Sequence, residues 1–153
     1  MILHAFTDGA SRGNPGESGV GVVVRSEDGE VILSVNGYIG RTTNNIAEYT
    51  ALLTLLERLR RARCTRLIVH SDSELMVRQV NGQYKVKDRE LKKYHKRVLE
   101  LCHALPFDVE LKYIPREKNR DADQLANLGI EGKRPLPARG RSRTDRVYSQ
   151  QKQ

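Results

Sequence analysis

The sequence predicts an α/β fold in which a mixed sheet carries helices packed on it. Three observations support that prediction. Valine-rich Gly19 to Arg25 and alternating Glu30 to Gly40 flank the turn residues Ser26-Glu27-Asp28-Gly29, the pattern of a hairpin. Leu67-Ile68-Val69 is a continuous apolar run, as in a central strand covered on both faces. Positions 48, 52, 55 and 59 are spaced by 4, 3 and 4, the period of one helix face.

The elements follow in order. A first strand runs from about Ile2 to Thr7, ends in a carboxylate at Asp8, and breaks into a loop holding Gly9, Gly13, Pro15 and Gly16. The second and third strands, Gly19 to Arg25 and about Glu30 to Gly40, complete an antiparallel meander through short links. Thr43 or Asn44 caps a helix reaching about Arg63, whose apolar face holds Leu52, Leu55 and Leu59 and also Glu48. A fourth strand, Arg66 to Ser71, ends in Asp72 and repeats the arrangement at Asp8. A short helix from Ser73 to Val80 stops at Asn81-Gly82, and a longer, basic one beginning after Tyr84 reaches Leu105 before Pro106. Asp108 to Tyr113 alternates as a last strand. After a loop from Ile114 to Arg120, a final helix spans Asp121 to Gly129. Asp121 and Gln124 act as its cap, Gly129 as its C-cap, and Asp123 lies at the margin of its apolar face.

The totals divide the chain into a domain over residues 1–132 and a tail over 133–153. Of 153 residues, the last 21 hold seven basic side chains and one acid, whereas the first 132 hold 20 basic and 18 acidic. With Pro135, Pro137 and Gly140 and few apolar residues, the tail is expected to be disordered, and its charge suits a nucleic-acid phosphate backbone. Lys85, Lys87, Arg89, Lys92, Lys93, Lys96 and Arg97 form the most basic stretch of the domain, either a solvated face or a phosphate-contacting patch. Cys64 and Cys102 have no metal-ligand spacing and read as reduced, buried thiols. No apolar run spans a bilayer, and no secretory pattern precedes the first strand, so a cytoplasmic monomer is expected.

Four carboxylates carry the chemistry. If the first and fourth strands are parallel neighbours, their C-terminal ends set Asp8 beside Asp72, at the sheet edge where crevices form. Glu48 from the first helix and Asp123 from the last can reach the same crevice. Acids so gathered repel unless cations are present, and oxygen ligands without histidine or thiolate favour Mg2+ or Mn2+ over zinc. Two such ions can hold a scissile phosphate, activate a water and stabilise the leaving oxygen. No protein nucleophile is then needed, and no serine–histidine or cysteine–histidine signature is present. The chemistry suggested is phosphodiester hydrolysis.

At these residues the chain resembles type 1 ribonuclease H. The match runs through Phe6-Thr7-Asp8-Gly9 with Gly13-Asn14-Pro15-Gly16, Thr42-Thr43-Asn44-Asn45 before Glu48, and Ser71-Asp72-Ser73. It ends in Asn119 followed by Ala122-Asp123-Gln124-Leu125-Ala126, so that it covers about residues 1 to 130. The resemblance implies a five-stranded mixed sheet, strands one to three antiparallel and strands four and five parallel to the first, with helices on both faces. It implies metal-binding catalytic acids at Asp8, Glu48, Asp72 and Asp123, with two Mg2+ or Mn2+ ions. It places substrate contacts at Gly9, Ser11, Arg12, Gly13, Asn14, Asn44, Asn45 and Ser73, and cleavage of the RNA strand of RNA–DNA hybrids to 5′-phosphate and 3′-hydroxyl ends. The 2′-hydroxyl is what distinguishes RNA from DNA at such contacts. Two departures stand out. The loop Tyr113-Ile114-Pro115-Arg116-Glu117-Lys118-Asn119 lacks the histidine many relatives carry, for which Arg116 or Glu117 could partly substitute, and Glu74 stands where glutamine is common. His4, His70, His95 and His103 lie in strands or helices and read as structural.

Overall fold

The computed structural model describes residues 1–133 together with Pro135 and Leu136. Five strands form one sheet: β1 (Ile2–Gly13), β2 (Gly16–Arg25), β3 (Val31–Thr42), β4 (Arg66–Ser71) and β5 (Asp108–Tyr113). Their order is β3-β2-β1-β4-β5, with β1–β2 and β2–β3 antiparallel and β1–β4 and β4–β5 parallel. The helices are α1 (Asn44–Arg58), α2 (Glu74–Val80), α3 (Arg89–Ala104) and α4 (Arg120–Gly132), with a short 3-10 turn at Arg116–Lys118.

One sheet face, with Leu3, Ala5, Val22, Val24, Leu33, Leu67 and Val69, packs against the α1 side chains Leu52, Leu55, Leu56 and Leu59 to form the main core. Leu91, Val98 and Leu101 of α3 close that core from outside α1. The opposite face receives α4, and glycines set the approach. A Cβ on Gly21 would lie 2.1 Å from the Ala122 carbonyl oxygen, and one on Gly19 2.5 Å from that of Ala126. Helix backbone therefore rests directly on strand backbone.

Several boundaries differ from the sequence expectation. Gly9 to Gly16 is not a loop, because β1 and β2 run on as paired strands to a tight turn at Asn14–Pro15, with Gly13 at φ +104° and a cis peptide before the proline. Helix α1 stops at Arg58, five residues early, where the Leu59 amide donates to the Leu55 carbonyl at 3.1 Å and the Arg60 amide to that of Glu57 at 3.4 Å. Gly129 does not cap α4. It lies inside the helix, where a Cβ would meet the Gly37 carbonyl oxygen at 2.6 Å, and Lys133 at φ +45° ends the helix instead. Asp121 is not a cap either. The N-cap position falls to Asn119, and Asp121 accepts from Arg25 at 2.8 Å. The thiols of Cys64 and Cys102 are half-buried rather than buried.

Beyond α4, Pro135 forms a parallel bridge to Tyr38 and Leu136 packs against the core. Position 134 and positions 137–153, most of the expected tail, lie outside the described residues. Among the described residues no helix is long and apolar enough to cross a membrane.

Candidate active site

Parallel pairing of β1 with β4 ends at Thr7 opposite Ser71, so Asp8 and Asp72 are the next residues after two neighbouring paired segments. Glu48 comes from α1, and the absence of a side chain at Gly9 lets it in. A Cβ there would lie 2.1 Å from the Ala47 carbonyl carbon, so any other residue would push α1 away. The Gly9 amide instead donates to Glu48 Oε1 at 2.8 Å. One carboxylate oxygen from each of Asp8, Glu48 and Asp72 lies within 4.8 Å of the other two.

Asp123 arrives with α4. Asn119, 1% exposed, donates from Nδ2 to the Thr7 carbonyl at 2.9 Å, tying the helix start to the strand residue before Asp8. Asn127, one turn on, donates to the Asp123 carbonyl at 3.0 Å and contacts its Oδ1 at 3.4 Å. Asp123 joins the other three acids in lining a cavity of about 320 Å³ that also touches Gly9, Ser11, Asn44, Tyr113 and Arg116.

The electrostatics follow from burial and crowding. Asp8, 5% exposed, is pushed up to about 10 by burial and then by the charges of Glu48, Asp72 and Asp123. Burial and the neighbouring Asp72 and Asp123 raise Glu48 to about 8, opposed by the Gly9 amide and the Arg116 guanidinium. Asp72 is raised by burial and Asp123, again opposed by Arg116. The cluster therefore retains protons unless a cation compensates its charge.

The expected substrate-contact residues divide into three places. Ser11 lines the cavity, with Oγ 2.6 Å from that of Ser18. Asn14 Oδ1 accepts from the Asn44 amide at 3.1 Å, joining the β1–β2 turn beside Gly13 to the start of α1 at the cavity rim. Ser73 caps α2 by accepting from the Met76 amide at 3.3 Å, next to Asp72. Arg12 lies elsewhere, on the α4 side, donating to Asn127 Oδ1 at 3.2 Å. Asn45 faces a second, larger cavity of about 550 Å³ with Gln79, Tyr84, Lys85 and Lys87. Asn44 and Asn45, the first two residues of α1, thus line two different hollows. Sequence reasoning missed Tyr113 as a lining residue and Asn127 as the support of Asp123; only the i, i+4 spacing of the latter signals it. Glu74 pairs with Arg78 at 2.9 Å.

A family profile described as reverse transcriptase-like matches residues 6–129. The chain is 38% identical over 129 residues to a ribonuclease HI of Halobacterium salinarum, covering 84% of this chain and 64% of that protein. It is 39% identical over 132 residues to a bifunctional protein of Mycobacterium tuberculosis, covering 86% of this chain and 35% of that one. The chain thus spans less than two thirds of these relatives. Among solved structures it superposes on LC11-RNase H1 in complex with an RNA/DNA hybrid with a TM-score of 0.82 at 40% identity, covering 85% of this chain and 97% of the other.

Proposed function

Because this chain belongs to the type 1 ribonuclease H family, we propose that it is an endonuclease that hydrolyses the RNA strand of RNA–DNA hybrids, leaving 5′-phosphate and 3′-hydroxyl ends. The observation that carries this reading is the convergence of the Asp8, Glu48 and Asp72 carboxylates within 4.8 Å. The donor set fits hard divalent cations. It is all carboxylate oxygen, and its protons are retained only because the charges are crowded and dry, a cost that cations remove. Asp8, Glu48, Asp72 and Asp123 would hold two Mg2+ or Mn2+ ions. Bound there, such ions supply Lewis acidity at the scissile phosphate and lower the pKa of water beside it.

The chain's own residues do the rest. The Gly9 amide holds Glu48 in one orientation, and Asn119 and Asn127 hold Asp123, so the acids are preorganised rather than recruited by substrate. Arg116 places a permanent positive charge beside Glu48 and Asp72, in the loop where relatives carry a histidine. A phosphate leaving the cleft would find it within the same cavity. Asn14 and Asn44 offer amide groups at the rim, and side-chain-free Gly9 lets a ribose 2′-hydroxyl approach backbone. A cytoplasmic monomer is consistent with this role.

The test is cleavage of a labelled RNA–DNA hybrid, with RNA–RNA and DNA–DNA duplexes alongside, in magnesium, manganese and chelator. Metal-dependent cutting of the hybrid alone, lost in Asp8→Asn, is the expected result. Tight hybrid binding without cutting in either metal would make the chain a binding module and overturn the enzymatic reading.

A further inference from the structure

Two asparagines flank Asp123 at a spacing of four residues, Asn119 at the N-cap of α4 and Asn127 within it, and each is tied to β1. Asn119 Nδ2 donates to the Thr7 carbonyl at 2.9 Å, and Asn127 Oδ1 accepts from the Arg12 guanidinium at 3.2 Å. From Thr7 to Arg12 is roughly 16 Å at about 3.3 Å per strand residue, and from Asn119 to Asn127 roughly 12 Å at about 1.5 Å per helix residue. The far half of β1 therefore matches the stretch of α4 that carries the acid, and holds it at both ends.

The two ties fix different things. The Asn119 bond is buried and ends on backbone, so it places the start of the helix. The Arg12 bond ends on a side-chain amide whose other end meets the acid, since Asn127 Nδ2 donates to the Asp123 carbonyl at 3.0 Å and lies 3.4 Å from its Oδ1. Turned over, that amide would set an acceptor oxygen against the Asp123 oxygens and its own donors against the guanidinium. Arginine has donors and no acceptor, so it bonds the amide only in the orientation that presents Nδ2 to Asp123. The nearby contact of Arg12 with Glu131, 3.9 Å between side chains 48% and 58% exposed, is of the kind that contributes little. We propose that Arg12 is a positioning residue, which through Asn127 holds the Asp123 carboxylate in the orientation that completes the cation site, and that it does not contact substrate. The strand that supplies Asp8 thereby also steadies an acid on another element.

The inference rests on the metal-binding reading of the acids, and its test keeps the two apart. Wild type is compared with Arg12→Ala, Asn127→Ala, the double variant, and Glu131→Gln, which removes the neighbouring ion pair. Two readouts need no substrate: the side-chain amide cross-peaks of Asn127, identified by their loss in Asn127→Ala, and the rise in melting temperature on adding magnesium. In Arg12→Ala the Asn127 cross-peaks should shift or broaden, and the stabilisation by magnesium should need more of the ion. The magnesium concentration for half-maximal hybrid cleavage should rise roughly three- to tenfold, below the about 10–100-fold typical when a group that holds a metal ligand directly is lost. At saturating magnesium the KM for hybrid should be unchanged. The double variant should be no worse than Asn127→Ala, because Arg12 acts through that amide. Glu131→Gln should match wild type in every readout. A raised KM with a salt slope of hybrid affinity reduced by about 0.9, at an unchanged magnesium requirement, would make Arg12 a phosphate contact and overturn the proposal. Additive losses in the double variant, or unmoved Asn127 cross-peaks in Arg12→Ala, would overturn it as well. If no hybrid is cut, the enzymatic reading fails, while the cross-peaks and the magnesium stabilisation still decide the role of Arg12.

Discussion

At Asp8, function and stability pull in opposite directions. Its carboxyl titrates at about 10 in the fold against 3.8 in an unfolded chain, so the metal-free native state binds a proton that the unfolded state releases. The native state is then favoured most below about pH 4, and this contribution is lost as pH rises from there to about 10. Metal-free protein should melt at progressively lower temperature between pH 5 and 9, measured by calorimetry in chelator. Asp8→Asn removes the titration and with it the cost of taking up a proton at pH 8, so its melting temperature should exceed wild type there, by roughly 3–5 °C for each kcal/mol gained in a domain of this size. Its hybrid cleavage should fall by on the order of 10³-fold or more, about 4 kcal/mol of barrier. A variant that is at once more stable and inactive is the signature of an acid kept for chemistry. Arg116 offers the complementary test. Arg116→Ala removes the cation opposing the raised titration of Glu48 and Asp72, so both should shift further upward and the pH dependence of cleavage should move to higher pH.

At the scale of elements, the site depends on how closely two helices approach the sheet. Gly9 admits α1 and Gly21 admits α4, each with backbone atoms where a methyl group would stand. Gly21→Ala should displace α4, and with it Asp123, costing at least the roughly 1–3 kcal/mol typical of overpacking. Urea unfolding would measure that loss, and the displaced acid should appear as a raised magnesium requirement for cleavage. The expected bounds of β4 and β5 agree with those found, Arg66–Ser71 and Asp108–Tyr113, because the continuous apolar run of the one and the apolar–polar alternation of the other each mark a strand locally. The hairpin at Gly9–Gly16 has the local composition of a loop, because glycine and proline disfavour strands. Its pairing comes from β2, a partner that local propensity does not see. Gly129 departs from expectation for a related reason: a glycine near a helix end suggests a cap, whereas here it makes room for Gly37 of β3.

Across the whole molecule, the four acids come from β1, α1, the position after β4 and α4, and topology gathers them. Their types and order were legible in the sequence; the parallel pairing of the first and fourth strands that sets Asp8 beside Asp72 entered there as a condition and as an implication of the family resemblance, and the structure has it. The Asn119 tether to Thr7 and the separation of Asn44 from Asn45 were not legible there, since both depend on the packing of distant segments. A site assembled in this way couples cation binding to global stability. Added magnesium should raise the melting temperature of wild type at pH 8, by RT ln(1 + [Mg2+]/Kd) in free energy, and leave Asp8→Asn much less affected. Equal stabilisation of both would place the ion elsewhere.

The Gly9 amide gives the cleft a resonance of its own. Its proton points at Glu48 Oε1, which lies 2.8 Å from a glycine nitrogen that occupies a sparsely populated region of a nitrogen–proton correlation spectrum. A charge-assisted bond to carboxylate is shorter and stronger than one to the neutral acid. That proton should therefore move downfield as Glu48 ionises near pH 8 and shift again when a cation takes up the carboxylate. A single cross-peak can follow the ionisation and loading of the centre without substrate, turnover or a label.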